Sequence, residues 1–329
     1  MRITSAITLL SCLALTACSA GTDATGETGE VCDNTVTLFP TKDAGDVYYR
    51  TSIEANFADA DDSATLAVSA GSEAVAGSTS WDEAGLTLTF TPDAPLTPST
   101  QYTAAVTHEC GDASVDWTTS DVGTSIDSAS LTGKAYTLDL TSGRFLQPEG
   151  IGALIQNYID TDILMGVVSA DDTTIQMIGA VANGETPPAQ DVCEPSFNFP
   201  DADFAGNPFF TVGPESTAIT IQGFTVTITD LMISGAFSPD GSYVDGAVLA
   251  GSIDTRPLVP MLDENGGDDA ICVLASSLGI NCEECAEDGG MFCLTLLVDS
   301  MTAEEIGTSL VEVVDPGTNP DCDEEPAGE

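Results

Sequence analysis

Along much of this chain apolar side chains alternate with polar ones, and that period of two limits the fold more than any other feature. The segment "TSIEANF" sets Ile53, Ala55 and Phe57 on one side, and "GLTLTF" does the same with Leu86, Leu88 and Phe90. In "QYTAAVTHEC" the shared side carries Tyr102, Ala104, Val106, His108 and Cys110. Further on, "AYTLDL" (Tyr136, Leu138, Leu140) and "GFTVTITDLMISGAF" (Phe224, Val226, Ile228) keep the rule. Residues two apart share a face only when the backbone is extended, so the chain is expected to be all-β. Turn-rich breaks divide it into an antiparallel sandwich over 32–121 and a larger antiparallel β-rich domain, barrel or sandwich, over 128–315. In the second domain "SPDGSYVDGAVLAGSID" reads as a hairpin turning at Pro239 to Gly241. Additional strands are expected in "DILMGVV", "TIQMIGAVA", "STAITI" and "CLTLLV".

Two short helices are expected to interrupt the strands. "PEGIGALIQNYI" spaces Ile151, Leu154, Ile155, Tyr158 and Ile159 helically behind Pro148. "DDAICVLASSLGI" does so with Ile271, Leu274 and Leu278, and Asp268 or Asp269 is placed to cap it. Both stripes are expected in the core, one helix plugging a barrel end. Met165, Met177, Met232 and Met261 are expected to fill core gaps; the alternative is that they line a ligand cavity.

The opening "MRITSAITLLSCLALTAC" has one charge, at Arg2, followed by an apolar run from Ile7 to Ala17 that is too short to span a bilayer. It reads as a signal peptide over 1–17. Its end, "LTAC", resembles the lipobox of bacterial lipoproteins, which implies acylation of Cys18, for example by palmitate, and cleavage before it. Residues 18–31 contain mostly small, hydroxyl and acidic types and are expected to be a disordered tether. Ser19 after the cysteine, by resemblance to enterobacterial sorting, implies the outer membrane.

The 329 residues include 53 acidic and 6 basic side chains, for a net charge of -47. Such a surface repels phosphate backbones, so nucleic acid is excluded as a partner. The acids are spread along the whole chain, as expected for hydration rather than metal binding. The best local calcium candidate is Asp263, Asn265 and Asp268 in "DENGGDD". It lacks an EF-hand's glycine and closing glutamate, so no cofactor is expected there, with calcium as the alternative. His108 is the only histidine, which removes most nucleophilic triads and histidine metal sites; it is expected to be a hydrogen-bonded residue at a strand end. Adjacent carboxylates such as Asp171 and Asp172 would point to opposite faces of a strand and cannot work as an acid/base pair.

One stretch supports a closer resemblance. "LTFTPDAPLTPSTQYTAAV" resembles SbsA-type bacterial Ig-like domains, with Phe90, Pro92, Leu96, Pro98 and Tyr102 at the characteristic positions. "LFPTKDAGDVYYRTSIEANF" is similar to the opening of that family and "VDWTTSD" to its closing strand, with Trp117 where the family commonly has Phe. The likeness spans Val36 to Asp121, about a quarter of the chain. It implies an Ig-like spacer or adhesion module of cell-surface proteins and carries no catalytic residues. Tyr102 is expected to pack on the corner formed by the prolines.

With Cys12 in the discarded leader and Cys18 acylated, eight cysteines remain: Cys32, Cys110, Cys193, Cys272, Cys282, Cys285, Cys293 and Cys322. An even number in an oxidising compartment points to four disulfides. Cys32 and Cys110 flank the first module and are expected to pair. "CEECAEDGGMFC" belongs to a local staple, since the acids around it would raise a thiol's pKa and the spacing is unlike a zinc ribbon. Cys322 should pin the acidic, Pro-rich tail over 316–329. No G-x-S-x-G, HExxH or Walker pattern appears in context. The expected function is therefore that of a non-enzymatic, lipid-anchored surface protein of the cell envelope, structural or binding, whose partner is an envelope protein or polysaccharide. The alternatives are a carrier of small apolar ligands or lipids, and a secreted carboxylate-dependent hydrolase.

Overall fold

The computed structural model describes residues 32–140, 143–148, 162–221, 224–262, 266–319 and 322. The expected leader and tether over 1–31 with Cys18, most of the expected helix from Pro148, and Asp263 and Asn265 lie outside the described residues, as does the side chain of Met261.

Nine strands build the first part of the chain: β1 (Val36–Phe39), β2 (Ala44–Val47), β3 (Ile53–Phe57), β4 (Thr65–Ala70), β5 (Glu73–Ala74), β6 (Gly77–Trp81), β7 (Thr87–Pro92), β8 (Gln101–His108) and β9 (Gly111–Thr119). They form two sheets, in the orders β1-β3-β7-β6 and β2-β9-β8-β4-β5. In β3, Ile53, Ala55 and Phe57 are buried, and in β8 so are Tyr102, Ala104 and Val106; together with Leu88, Phe90 and Trp117 they fill the space between the sheets. Tyr102 stacks on Trp117, with ring centroids 5.8 Å apart, and its hydroxyl accepts a hydrogen bond from the Thr97 amide at 2.8 Å. This bond satisfies a donor where "PLTP" leaves the sheet, because neither flanking proline has an N–H to offer.

Three residues depart from the expected pattern. Leu86 is exposed, because β7 begins one residue later: the Asp82 carboxylate accepts the Leu86 and Thr87 amides and closes a turn. His108 is half-buried edge-on to Phe57, at 5.8 Å, rather than hydrogen-bonded; its Nδ1 has no partner among the described residues. Strand β8 ends there, so Cys110 falls in the turn to β9 and not on the core face.

The second part contains β10 (Ala135–Leu138), β11 (Arg144–Gln147), β12 (Ile163–Ala170), β13 (Thr174–Val181), β14 (Phe197–Asn198), β15 (Ala202–Asp203), β16 (Phe209–Ile221), β17 (Phe224–Phe237), β18 (Tyr243–Asp254) and β19 (Cys293–Glu305). All belong to one antiparallel sheet along β14-β13-β12-β10-β19-β18-β17-β16 that curls into a nearly closed barrel. The order is not a simple meander. β16 to β19 follow one another, but β19 then pairs with β10 and joins the β12–β13 hairpin to them. Gly241, at φ +68°, makes the β17–β18 turn that its "PDG" sequence predicts. Tyr136, Phe204, Phe210 and Phe237 fill the interior with Met165, Met177 and Met301, all completely buried. Phe237 touches three other rings, with centroids 4.8 to 6.0 Å away. Met232, also expected inside, is partly exposed.

The tail folds back over the outer face of β12 and β13. Ile306 and Leu310 pack on Leu164, Ala180 and Ala182, Gln190 exchanges hydrogen bonds with the backbone of Val311, and Cys193 is bonded to Cys322.

The sandwich and the barrel share a seam. Tyr48 packs where a Cβ on Gly246 would have to stand, which with φ +58° explains a glycine in the middle of β18. The Arg50 guanidinium lies 3.9 Å from the ring centre of Phe209, and Ala236 of β17 belongs to the sandwich core.

Candidate interaction surface

Between β18 and β19 the chain leaves the barrel for about forty residues, and here the period of two stops. A short helix α1 (Val259–Leu262) and a second helix α2 (Ala270–Ser277) carry it out, and "NCEECAEDGGMFC" brings it back. A helix of 8 residues has little stability alone and must be held by its surroundings. Burial does not hold α2, since within it Ala275 is the residue buried. The expectation that Ile271, Leu274 and Leu278 form a core stripe fails, and α2 plugs no barrel end. Asp269 occupies the N-cap position without making a side-chain cap bond, contrary to the expected role. What holds α2 is covalent: Cys272 is bonded to Cys282, with Cα atoms 5.6 Å apart, and Cys285 to Cys293, at 5.1 Å.

Cys293 is the first residue of β19, so the second disulfide roots the segment in the barrel wall. Glu283 and Cys293 exchange backbone hydrogen bonds at 2.7 and 3.1 Å beside it. A polar clamp supports the root. The Thr255 hydroxyl donates to the Phe292 carbonyl at 2.7 Å, and Arg256 reaches both Asp254 and Asp288 while covering the Phe292 ring. Burial pushes the Asp254 carboxyl up, but the hydrogen bonds and charge of Arg256 outweigh it and leave the group below its ordinary value. Asp288 is lowered by Arg256 first and then by the Gly290 amide. Cys32 and Cys110 are disulfide-bonded as well, so with the three bonds above all eight cysteines among the described residues are oxidised and none of these is left as a thiolate for zinc or redox chemistry.

This support turns large apolar side chains toward water. Exposure reaches 59% for Val273, 58% for Leu278, 55% for Met291, 51% for Leu262 and 40% for Leu274. Among the described residues, these are five of the twelve large hydrophobics left exposed, within a segment of thirty residues. Soluble proteins seldom gather such residues without an occupant. In the same segment the carboxylates of Asp268, Asp269, Glu284 and Glu287 are exposed and unpaired among the described residues. Of the calcium candidates, Asp268 is therefore a solvated side chain.

A cleft of about 260 Å³ lies on the sandwich, between Tyr49, Arg50, Ser52, Thr91, Asp93 and neighbouring prolines. Its arginine is committed to the seam: Nε donates to the Tyr49 hydroxyl at 3.0 Å and the guanidinium covers Phe209. Asp171, the first of the adjacent carboxylates, accepts from the Thr173 and Thr174 amides and closes the β12–β13 turn, a structural role.

Fold and surface together define a class: an all-β protein with an N-terminal Ig-like sandwich, a barrel-like second domain, and an exposed apolar surface held by disulfides. Residues 33–132 match the Big_5 family, bacterial Ig-like domain. A domain of that family points to a cell-surface protein with a structural or binding role. The chain is also similar to the S-layer protein rSbsC(31-844), at 10% identity and a TM-score of 0.20 over 83% of this chain and 53% of that one, so it spans about half of that protein's length. No curated protein matches. No helix among the described residues is long and apolar enough to cross a membrane.

Proposed function

We propose that this is a lipid-anchored protein of the cell envelope, acylated at Cys18 and without catalytic activity, that binds an envelope partner through the stapled surface between β18 and β19. The concentration of exposed Leu262, Val273, Leu274, Leu278 and Met291 on a segment fixed by two disulfides carries this reading. A surface that is apolar and rigid at once costs little conformational entropy on binding. The tether over 18–31 gives the folded part reach from an outer-membrane anchor, and the Ig-like domain serves as the spacer. The barrel is read as a scaffold rather than a carrier because aromatic rings and methionines occupy its interior. Labelling cells with a radioactive or clickable palmitate tests the anchor: the parent protein takes up label and sediments with the outer membrane, and Cys18→Ala is neither labelled nor sedimented. An unlabelled parent rejects the anchor.

A further inference from the structure

The stapled segment has an electrostatic sign as well as exposed apolar side chains, and the sign selects among occupants. It is acidic: the exposed Asp268, Asp269, Glu284 and Glu287 have no cation partner among the described residues, and the basic residue of the segment's root, Arg256, is already shared between Asp254 and Asp288. A second copy of this chain would bring the same acidic segment and a net charge of -47 against it. An anionic membrane surface is repelled for the same reason. A partner that buries the exposed apolar side chains of this segment must therefore bring positive charge to its carboxylates.

Resting on the binding reading above, we infer that the occupant is a protein surface of one chemistry: an apolar projection that also carries lysine or arginine. The exposed apolar residues supply contact area, and the unpaired carboxylates supply orientation and speed of encounter, as charged groups do in other interfaces. The arrangement explains why the segment is stapled. Without Cys272–Cys282 and Cys285–Cys293, α2 would collapse onto its own apolar side chains or fray, and the surface would have to be ordered anew at each binding event.

The test uses the whole mature chain, disulfides intact, and three synthetic helical peptides of one length. One carries leucine on one face and lysine on the other; the second has glutamate in place of lysine; the third has serine in place of leucine. The leucine/lysine peptide is expected to bind, to weaken severalfold as salt is raised, and to protect residues 262–291 from hydrogen exchange. Val273→Ser with Leu278→Ser is expected to weaken it about tenfold or more, and Glu284→Gln with Glu287→Gln severalfold. The other two peptides are expected to bind far more weakly. Equal binding of the serine/lysine peptide, or a footprint elsewhere on the acidic surface, overturns the inference by reducing it to general charge attraction. Binding of the leucine/glutamate peptide overturns the charge argument and leaves an apolar binding surface standing. Dimerisation that Val273→Ser with Leu278→Ser abolishes, or docking to phosphatidylglycerol vesicles through the same residues, replaces the proposed occupant. Loss of palmitate labelling in the parent would reject the anchor without touching any of these outcomes.

Discussion

The sandwich and barrel walls and the stapled segment solve the same problem in opposite ways. In β3, β8 and β17 the apolar half of each strand goes inward, and burial of side chains such as Trp117, Phe210 and Phe237 holds the element in place. Between β18 and β19 large apolar side chains point outward, and two disulfides, a backbone bridge at Glu283–Cys293 and the Arg256 clamp hold the element instead. The difference teaches how a protein keeps a sticky surface available: the stabilisation is moved into covalent bonds, so apolar side chains are not needed inside. If this contrast is correct, the same kinds of substitution must have opposite consequences in the two regions.

The largest effect is expected in the barrel wall. Phe237 is completely buried among Tyr136, Phe204 and Phe210, so Phe237→Ala leaves a cavity that the surrounding rings cannot all fill. A loss of about 3–5 kcal/mol is expected in denaturant or thermal unfolding. A loss under about 1 kcal/mol would mean that the interior is loosely packed and would bring the carrier alternative back.

Next comes the staple. Cys272→Ser with Cys282→Ser opens a loop whose ends are 10 residues apart, worth about 2–3 kcal/mol in the chain-entropy account. The loss should stay local. Hydrogen exchange of α2 should accelerate while the amides of β10, β12 and β17 keep their protection. If the barrel amides lose protection as well, the segment is part of the barrel's cooperative unit and the contrast between the two regions breaks.

How much of this was legible in the sequence follows from the same physics. Strands with one wet face advertise themselves, because the pleat sends every second side chain to the core; the buried faces of β3 and β8 and the strand at Ala135 follow from that alone. The Phe-x-Pro and Leu-x-Pro spacing located the Ig-like domain through its resemblance to that family's signature, and the prolines, which withhold amide donors, suit a chain that leaves one sheet for the other. Closure of the barrel was hidden, because β19 pairs with β10 across more than 150 residues and no local pattern encodes a distant neighbour. The surface was misread: a period of 3.6 says which side chains share a face, not whether that face is inside. One signal was present, since Ile271, Cys272, Val273 and Leu274 run consecutively and wrap more than one face of a helix, wider than a single buried stripe requires.

A smaller and pH-dependent effect separates two nearby aspartates, Asp240 in the β17–β18 turn and Asp245 within β18. Asp240 accepts hydrogen bonds from Ser242 and Ser238, which bring its carboxyl down to about 2. It therefore favours the folded state above the ordinary carboxylate value and loses that contribution as pH falls toward 2. Asp245, at the seam, is pushed up, first by burial and then by the charge of Asp46, against the opposing Gly246 amide. It binds a proton more readily folded than unfolded, so its contribution is full below the ordinary carboxylate value and disappears as pH rises through its folded value. Asp245→Asn should thus flatten the stability profile on the mildly acidic side and raise stability at neutral pH relative to the parent, while Asp240→Asn flattens only the strongly acidic end. Identical profiles for the two variants would mean that Asp245 is not held at a dry seam.

The smallest effect on stability is the most telling. Val273→Ser with Leu278→Ser removes two large apolar side chains, a change that in β17 would be severe. On the stapled segment both side chains already stand more than half in water, and the helix that carries them is tied at Cys272. Unfolding free energy is expected to move by no more than about 0.5 kcal/mol, and exposed serine should if anything improve solubility. A stability loss above about 1.5 kcal/mol would place Val273 and Leu278 in a packed layer with the rest of the chain. They would then have no free surface to offer a partner. Stability unchanged while the leucine/lysine peptide is lost, in contrast, separates binding from folding at the same two residues, which is what a surface fixed by disulfides rather than by burial requires.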